Sequence, residues 1–123
     1  MGEGESSREH ELREQLAAAQ AITHIGSYEW IVGSDRVTWS DELYRIYGLE
    51  PGSVAITLDA FINRVRPDQR ERIRAEVARV VQRPGRFAYR EIIVRPDGSE
   101  RILDTIGDAI ADASGQVVRL VGT

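Results

Sequence analysis

The 123-residue chain contains no cysteine. That excludes a disulfide framework, a thiolate nucleophile, a cysteine-ligated zinc or iron–sulfur centre and a cysteine-linked chromophore. Lysine is absent as well, so all sixteen basic residues are arginine, scattered along the chain rather than gathered at one site. Histidine is scarce: His10 and His24 are the two present. Each is read as an exposed structural residue, because a lone histidine does not make a metal or haem site. No apolar run approaches the ~20 residues of a membrane span, and the polar start "MGEGESS" is no signal peptide. A cytoplasmic setting is the expectation.

What remains is ordinary for one globular domain: 41% hydrophobic residues, 29% charged residues and a net charge of -4. The stretch "VRPDQRERIRAEVARVVQRPGR", residues 65–86, stands out with seven arginines against three acids. Asp68–Arg72 and Arg72–Glu76 at i, i+4, and Glu76–Arg79 at i, i+3, are spaced to pair along a helix. Nucleic-acid binding needs unpaired arginines on a continuous basic surface, so no nucleic-acid partner is expected.

Residues 1–7 have no apolar content, and disorder is expected there. A helix follows to about residue 24, with Ser6 or Ser7 as N-cap and Gly26 as terminator. Leu12, Leu16 and Ala19 form its short apolar stripe, suited to the domain's own surface or to a second copy. "SYEWIV" and "RVTWS" alternate as strands around the turn "GSDR". Ser40 caps a short helix that Gly48 closes, and Thr57 caps another through Val65. A long helix starts at Pro67 and runs to about Gln82, with Ile73, Val77 and Val80 on one face. Three strands in period two, joined by "PDGS" and "DASG", complete an α+β plan: a five-stranded antiparallel sheet with helices on one face.

These residues resemble a known family. Gly26, Tyr28 and Trp30 match a Gly-x-aromatic-x-Trp signature, "VTWSDELYRIYG" (37–48) a Trp-Ser-x-Glu-Leu element, and Arg66 to Arg70 a His-Pro-Asp-Asp-Arg element. "RPDGSERI" matches a hairpin turn, and Asp112, Gly115, Gly122 and Thr123 the closing strand. In register, they identify residues 25–123 as similar to a PAS domain, with residues 1–24 a flanking, dimerising segment. Three departures are Arg66 for the family's His, Ile102 for its Trp, and Arg90 and Ile92 for its acid–Arg alternation. The resemblance implies a cytoplasmic bacterial sensor that dimerises and biases an output domain outside this chain. It also implies neither an adduct-forming flavin, which needs cysteine, nor a haem, which takes a histidine from the long helix.

Odd positions of residues 103–111 are small: Leu103, Thr105, Gly107, Ala109 and Ala111. If they face inward they leave room for a ligand among Leu43, Ile46, Tyr47, Phe61, Val65, Ile73, Val77, Ile93, Leu103, Val118 and Leu120. An apolar molecule such as a fatty acid is the expected occupant, and a filled core is the competing reading. Even positions Ile102, Ile106 and Ile110, with Val117 and Val121, make the outer face apolar. The N-terminal helix is its expected cover, from its own chain or from a homodimer partner. The alternatives are a ligand-free dimerisation module and, more remotely, a small α+β enzyme using Asp104, Asp108 and Glu91. No catalytic residue is assigned, because no nucleophile–base pair accompanies those acids.

Overall fold

The computed structural model describes residues 2–123, with side chains from Ser7 onward. Helix α1 (Gly2–Thr23) precedes β1 (Tyr28–Ile31) and β2 (Val37–Trp39). Helices α2 (Asp41–Ile46), α3 (Leu58–Ile62) and α4 (Arg70–Val80) follow, then β3 (Gly85–Val94), β4 (Glu100–Ala111) and β5 (Val117–Gly122). The five strands form one antiparallel sheet in the order β2-β1-β5-β4-β3. The α+β architecture is the one the sequence implies.

Its details depart from the sequence reading in several places. Met1 lies outside the described residues; the backbone is helical from Gly2, so Ser6 and Ser7 lie inside α1 rather than at its N-cap. The helix is ended not by Gly26 but by His24, held at φ 56°. The Ile25 N–H reaches back to the Gln20 carbonyl at 3.1 Å, the bond that follows a left-handed residue at a helix end.

Gly26 has a different task. A Cβ there would lie 2.7 Å from Leu43 Cβ and 2.8 Å from Leu43 Cα, so its hydrogen lets α2 press against the chain. Ser40 secures the same junction. Its hydroxyl accepts from Leu43 N–H, capping α2, and from Ser27 N–H at 2.9 Å. Thr57 caps α3 as expected, although that helix stops at Ile62 rather than Val65. Pro67–Gln69 form a 3-10 turn before α4, whose regular part ends at Val80.

The helical layer reaches the sheet through residues 64–66. The Arg66 N–H donates to the Ile92 carbonyl and the Val94 N–H to the Arg64 carbonyl, while Val65 is fully buried between them. Arg66 itself forks onto Asp68 at 2.6 and 2.9 Å and reaches Glu100 at 3.1 Å. It thus ties the start of the α4 region to the β3–β4 hairpin, a role histidine is too short to fill. Asp68 is therefore engaged by Arg66, and Arg72 turns to Gln69 and the Arg90 carbonyl instead of the expected acids. Glu76–Arg79 does form, at 2.6 Å.

In β5 the register slips. Ile110 pairs with Arg119 but Ala111 pairs with Val117, leaving Val118 as an extra residue. A bulge of this kind reverses which face the preceding residues meet. Val117 is consequently buried and Val118 exposed, the opposite of the sequence assignment for both.

The Gly26 contact has a direct test. Gly26→Ala should cost about 1–3 kcal/mol, because α2 or β1 has to move to admit one methyl group. Urea unfolding measures it, and an unchanged midpoint would show that the junction is slack.

Candidate functional site

The inner face of the sheet does not pack solidly against the helices. Three clusters of buried side chains surround the space between them. Val80, Phe87, Ala109, Val117 and Leu120 form one; Trp39, Tyr47, Ile56 and Ile93 the second; Ile62, Val65 and Ile73 the third. A cavity of about 420 Å³ is lined from all three sides, within the range of small-molecule sites.

Leu43, Ile46, Tyr47, Phe61, Val77, Leu103 and Leu120 line it, as the sequence suggested. Val65, Ile73 and Ile93 do not: each is wholly buried in packed core. Val118 faces away because of the bulge. The odd positions of β4 do point inward, with Thr105, Gly107 and Ala109 buried. Yet the room over Gly107 is already taken. Tyr28, Gly122, Gly107 and Phe87 form one row across the sheet, and the rings of Tyr28 and Phe87 lean over the two glycines.

The sheet is incomplete beside the cavity. Pairing between β4 and β5 ends with the two bonds between Ile106 and Thr123. Residues 100–105 of β4 are then paired through β3 alone. His24, Ile25, Gly26, Ile102, Ile106 and Thr123 are among the residues that line the cavity.

The polar groups are few. Trp39 stacks on Tyr47 at 4.2 Å between ring centres, with Tyr44 edge-on at 5.5 Å. The Tyr47 hydroxyl donates to Glu91 Oε1 at 3.2 Å. Glu91 is 2% exposed, and its second oxygen, Oε2, has no partner; the buried Tyr28 hydroxyl has none either. Burial pushes the Glu91 carboxyl up to about 7, with the Tyr47 hydrogen bond and the Arg72 charge pulling the other way. Burial first and the Glu91 charge second push the hydroxyls of Tyr28, Tyr47 and Tyr89 upward, so all stay protonated at neutral pH. The sequence reading missed this acid as an inward residue. The signal was there: Glu91 shares parity with Phe87, Tyr89 and Ile93.

The carboxylates considered for catalysis do not converge. Asp104 pairs with Arg90 at 2.8 Å and Asp108 with Arg86 at 3.6 Å, both on the outer face, whereas Glu91 lies opposite Leu103 on the inner one. Among the described residues no group of acids and histidines is arranged to hold a metal ion, and no helix is long and apolar enough to cross a membrane.

The expected interface residues lie on two separate surfaces. Leu12 and Leu16 are 58% and 59% exposed, and Ala19 is exposed beside them. Ile102 and Ile106 are 66% and 51% exposed on the sheet, with Val121 half-buried near them and Val117 inside. Helix α1 touches its own domain through its last turn. There Gln20 donates to the Ser27 hydroxyl at 3.0 Å, and His24 Nδ1 lies 3.2 Å from Glu42 Oε2. It does not cover its own sheet.

Glu91 makes stability depend on pH. Its folded pKa lies above the ordinary carboxylate value, so the folded chain keeps a proton that the unfolded chain releases. Stability contributed this way is complete at acid pH and is lost as pH rises from about 4.5 to about 7. The wild type should lose roughly 3 kcal/mol over that window relative to Glu91→Gln, and chemical denaturation at a series of pH values measures it. Parallel curves for the two proteins would contradict the assignment.

Comparison with known proteins agrees with this geometry. Residues 36–123 match the PAS fold family. No curated protein sequence matches the chain. Among solved structures, an RNA-binding light-oxygen-voltage receptor is 25% identical with a TM-score of 0.68, covering 79% of this chain. The match spans 27% of that receptor. A sensory box histidine kinase/response regulator from Burkholderia thailandensis E264 shares the fold at 21% identity and a TM-score of 0.70, over 89% of this chain and 80% of that one. The N-terminal domain of a diguanylate cyclase with a PAS/PAC sensor from Marinobacter aquaeolei does so at 16% identity and 0.66, over 79% and 89%. Matched by the family model over residues 36–123, the chain belongs to the PAS fold family.

Proposed function

We propose that this chain is the sensory module of a bacterial signalling protein, in which a small, mostly apolar molecule in the cavity biases an attached output domain. The observation that carries the reading is the cavity itself, about 420 Å³ lined largely by aromatic and aliphatic side chains. Similar domains belonging to a histidine kinase and a diguanylate cyclase supply the kind of output to expect. Helix α2 supports a route outward. Tyr47, just past its end, meets Glu91 in the cavity, and Glu42 in its first turn meets His24 at the end of α1. A ligand that displaces Tyr47 moves a helix of six residues, too short to bend, against the root of α1.

The reading includes a homodimer. A 22-residue helix attached by its last turn gains little from its own domain, and isolated helices are marginal in water. Its leucines and the exposed Ile102 and Ile106 are each without cover in one chain, and a second copy of the chain supplies both surfaces. A ligand-free dimerisation module is the second reading, favoured by the aromatic rings that fill part of the inner space.

Mass spectrometry of the natively purified, then denatured, protein should reveal a co-purifying small molecule, and adding it back should raise the melting temperature. Finding none, and no stabilising additive, would favour the second reading. Light scattering at high micromolar concentration should give a dimer mass that Leu16→Glu and Ile106→Glu each lower toward the monomer. A wild-type monomer would remove the dimer from the scheme.

A further inference from the structure

The cavity is mostly apolar, and the most deeply buried acid that lines it is unfinished. Glu91 sits on the inner face of β3 with one oxygen satisfied by Tyr47 and the other satisfied by nothing. An unpartnered carboxyl oxygen this deeply buried costs free energy comparable to a lost hydrogen bond or more. The Tyr28 hydroxyl, lining the same space, is also unpartnered. Around them stand the rings of Trp39, Tyr47, Phe61 and Tyr89. No cationic side chain hydrogen-bonds Glu91: Arg72 bonds to Gln69 and the Arg90 carbonyl instead. A buried acid in a cavity lined by aromatic rings, with no cationic side chain hydrogen-bonded to it, is chemically complementary to an ammonium group. The carboxylate supplies the charge, and the ring faces stabilise the cation further.

We propose that the cavity binds an apolar amine, its hydrocarbon body among the aromatic rings and its ammonium group donating to the Glu91 carboxylate. This rests on the reading of the cavity as a ligand site and gives that ligand its polar end. It replaces the fatty acid expected from the sequence at this position, because a second carboxylate beside Glu91 adds like charge where there is already too much. An amine of indole size is well within about 420 Å³.

Three probes with the same ring and different ends decide the matter: tryptamine, tryptophol and indole-3-acetate. Each is titrated into the intact protein at pH 8 by calorimetry, with amide and ring NMR shifts locating it. Tryptamine should bind at least ten-fold more tightly than tryptophol, and indole-3-acetate most weakly. In Glu91→Gln the tryptamine advantage should vanish while tryptophol binding stays within about three-fold, since Gln keeps the shape and loses the charge. If Glu91→Gln does not fold, the order of the three probes on the wild type decides alone. Equal binding of all three, or an order unchanged by Glu91→Gln, overturns the amine and leaves the cavity as an apolar ligand site. Binding by none of them overturns both.

Discussion

Two backbone hydrogen bonds, Arg66 N–H to Ile92 and Val94 N–H to Arg64, fasten the helical layer to the sheet. They do so at β3, the edge strand, whose far rim would otherwise present free donors and acceptors. Val65, fully buried between them, contributes about 1.5–3 kcal/mol of apolar burial. Because the layer is pinned here and again at the Gly26–Leu43 junction, the helices span the sheet between two fixed points. The cavity lies in that span. Arg66 reinforces the first pin from outside, which gives a physical reason for arginine where the family has histidine.

Much of this was legible. Turn chemistry at Asp97-Gly98 and Asp112–Gly115 marked the hairpins, and Ser40 and Thr57 declared their caps. The limits are equally specific. Val117 and Val118 are both apolar, so alternation cannot say which of them is the extra residue, and one bulge reverses both assignments. His24 replaces glycine at a left-handed position, so the helix end gave no signal of its usual kind. The small residues of β4 promised space, but a small residue makes a hole only if nothing leans into it, and Tyr28 and Phe87 come from other strands. Glu91 was readable by parity and was overlooked because charge argues for solvent.

The site and the outer face are not independent. Ile102 and Ile106 line the cavity and are also 66% and 51% exposed, so residues of the cavity wall belong to the exposed apolar surface as well. On that surface the isoleucines alternate with ion pairs, Arg90–Asp104 and Arg86–Asp108, whose acids are held ionised or engaged across the strand. Apolar contact there supplies affinity while the fixed charges limit how a second surface can be seated.

The pairing of Tyr28 with Gly122 places the strand that follows α1 directly beside the strand that ends the sheet. In polymer terms the domain is a loop that folding has already closed, its two openings separated by about one inter-strand spacing of ~5 Å. Inserting such a unit into a longer chain adds almost nothing to the distance the host must span, and little closure entropy. It also means that Tyr28, five residues after α1, and Gly122, next to Thr123, are held on adjacent strands.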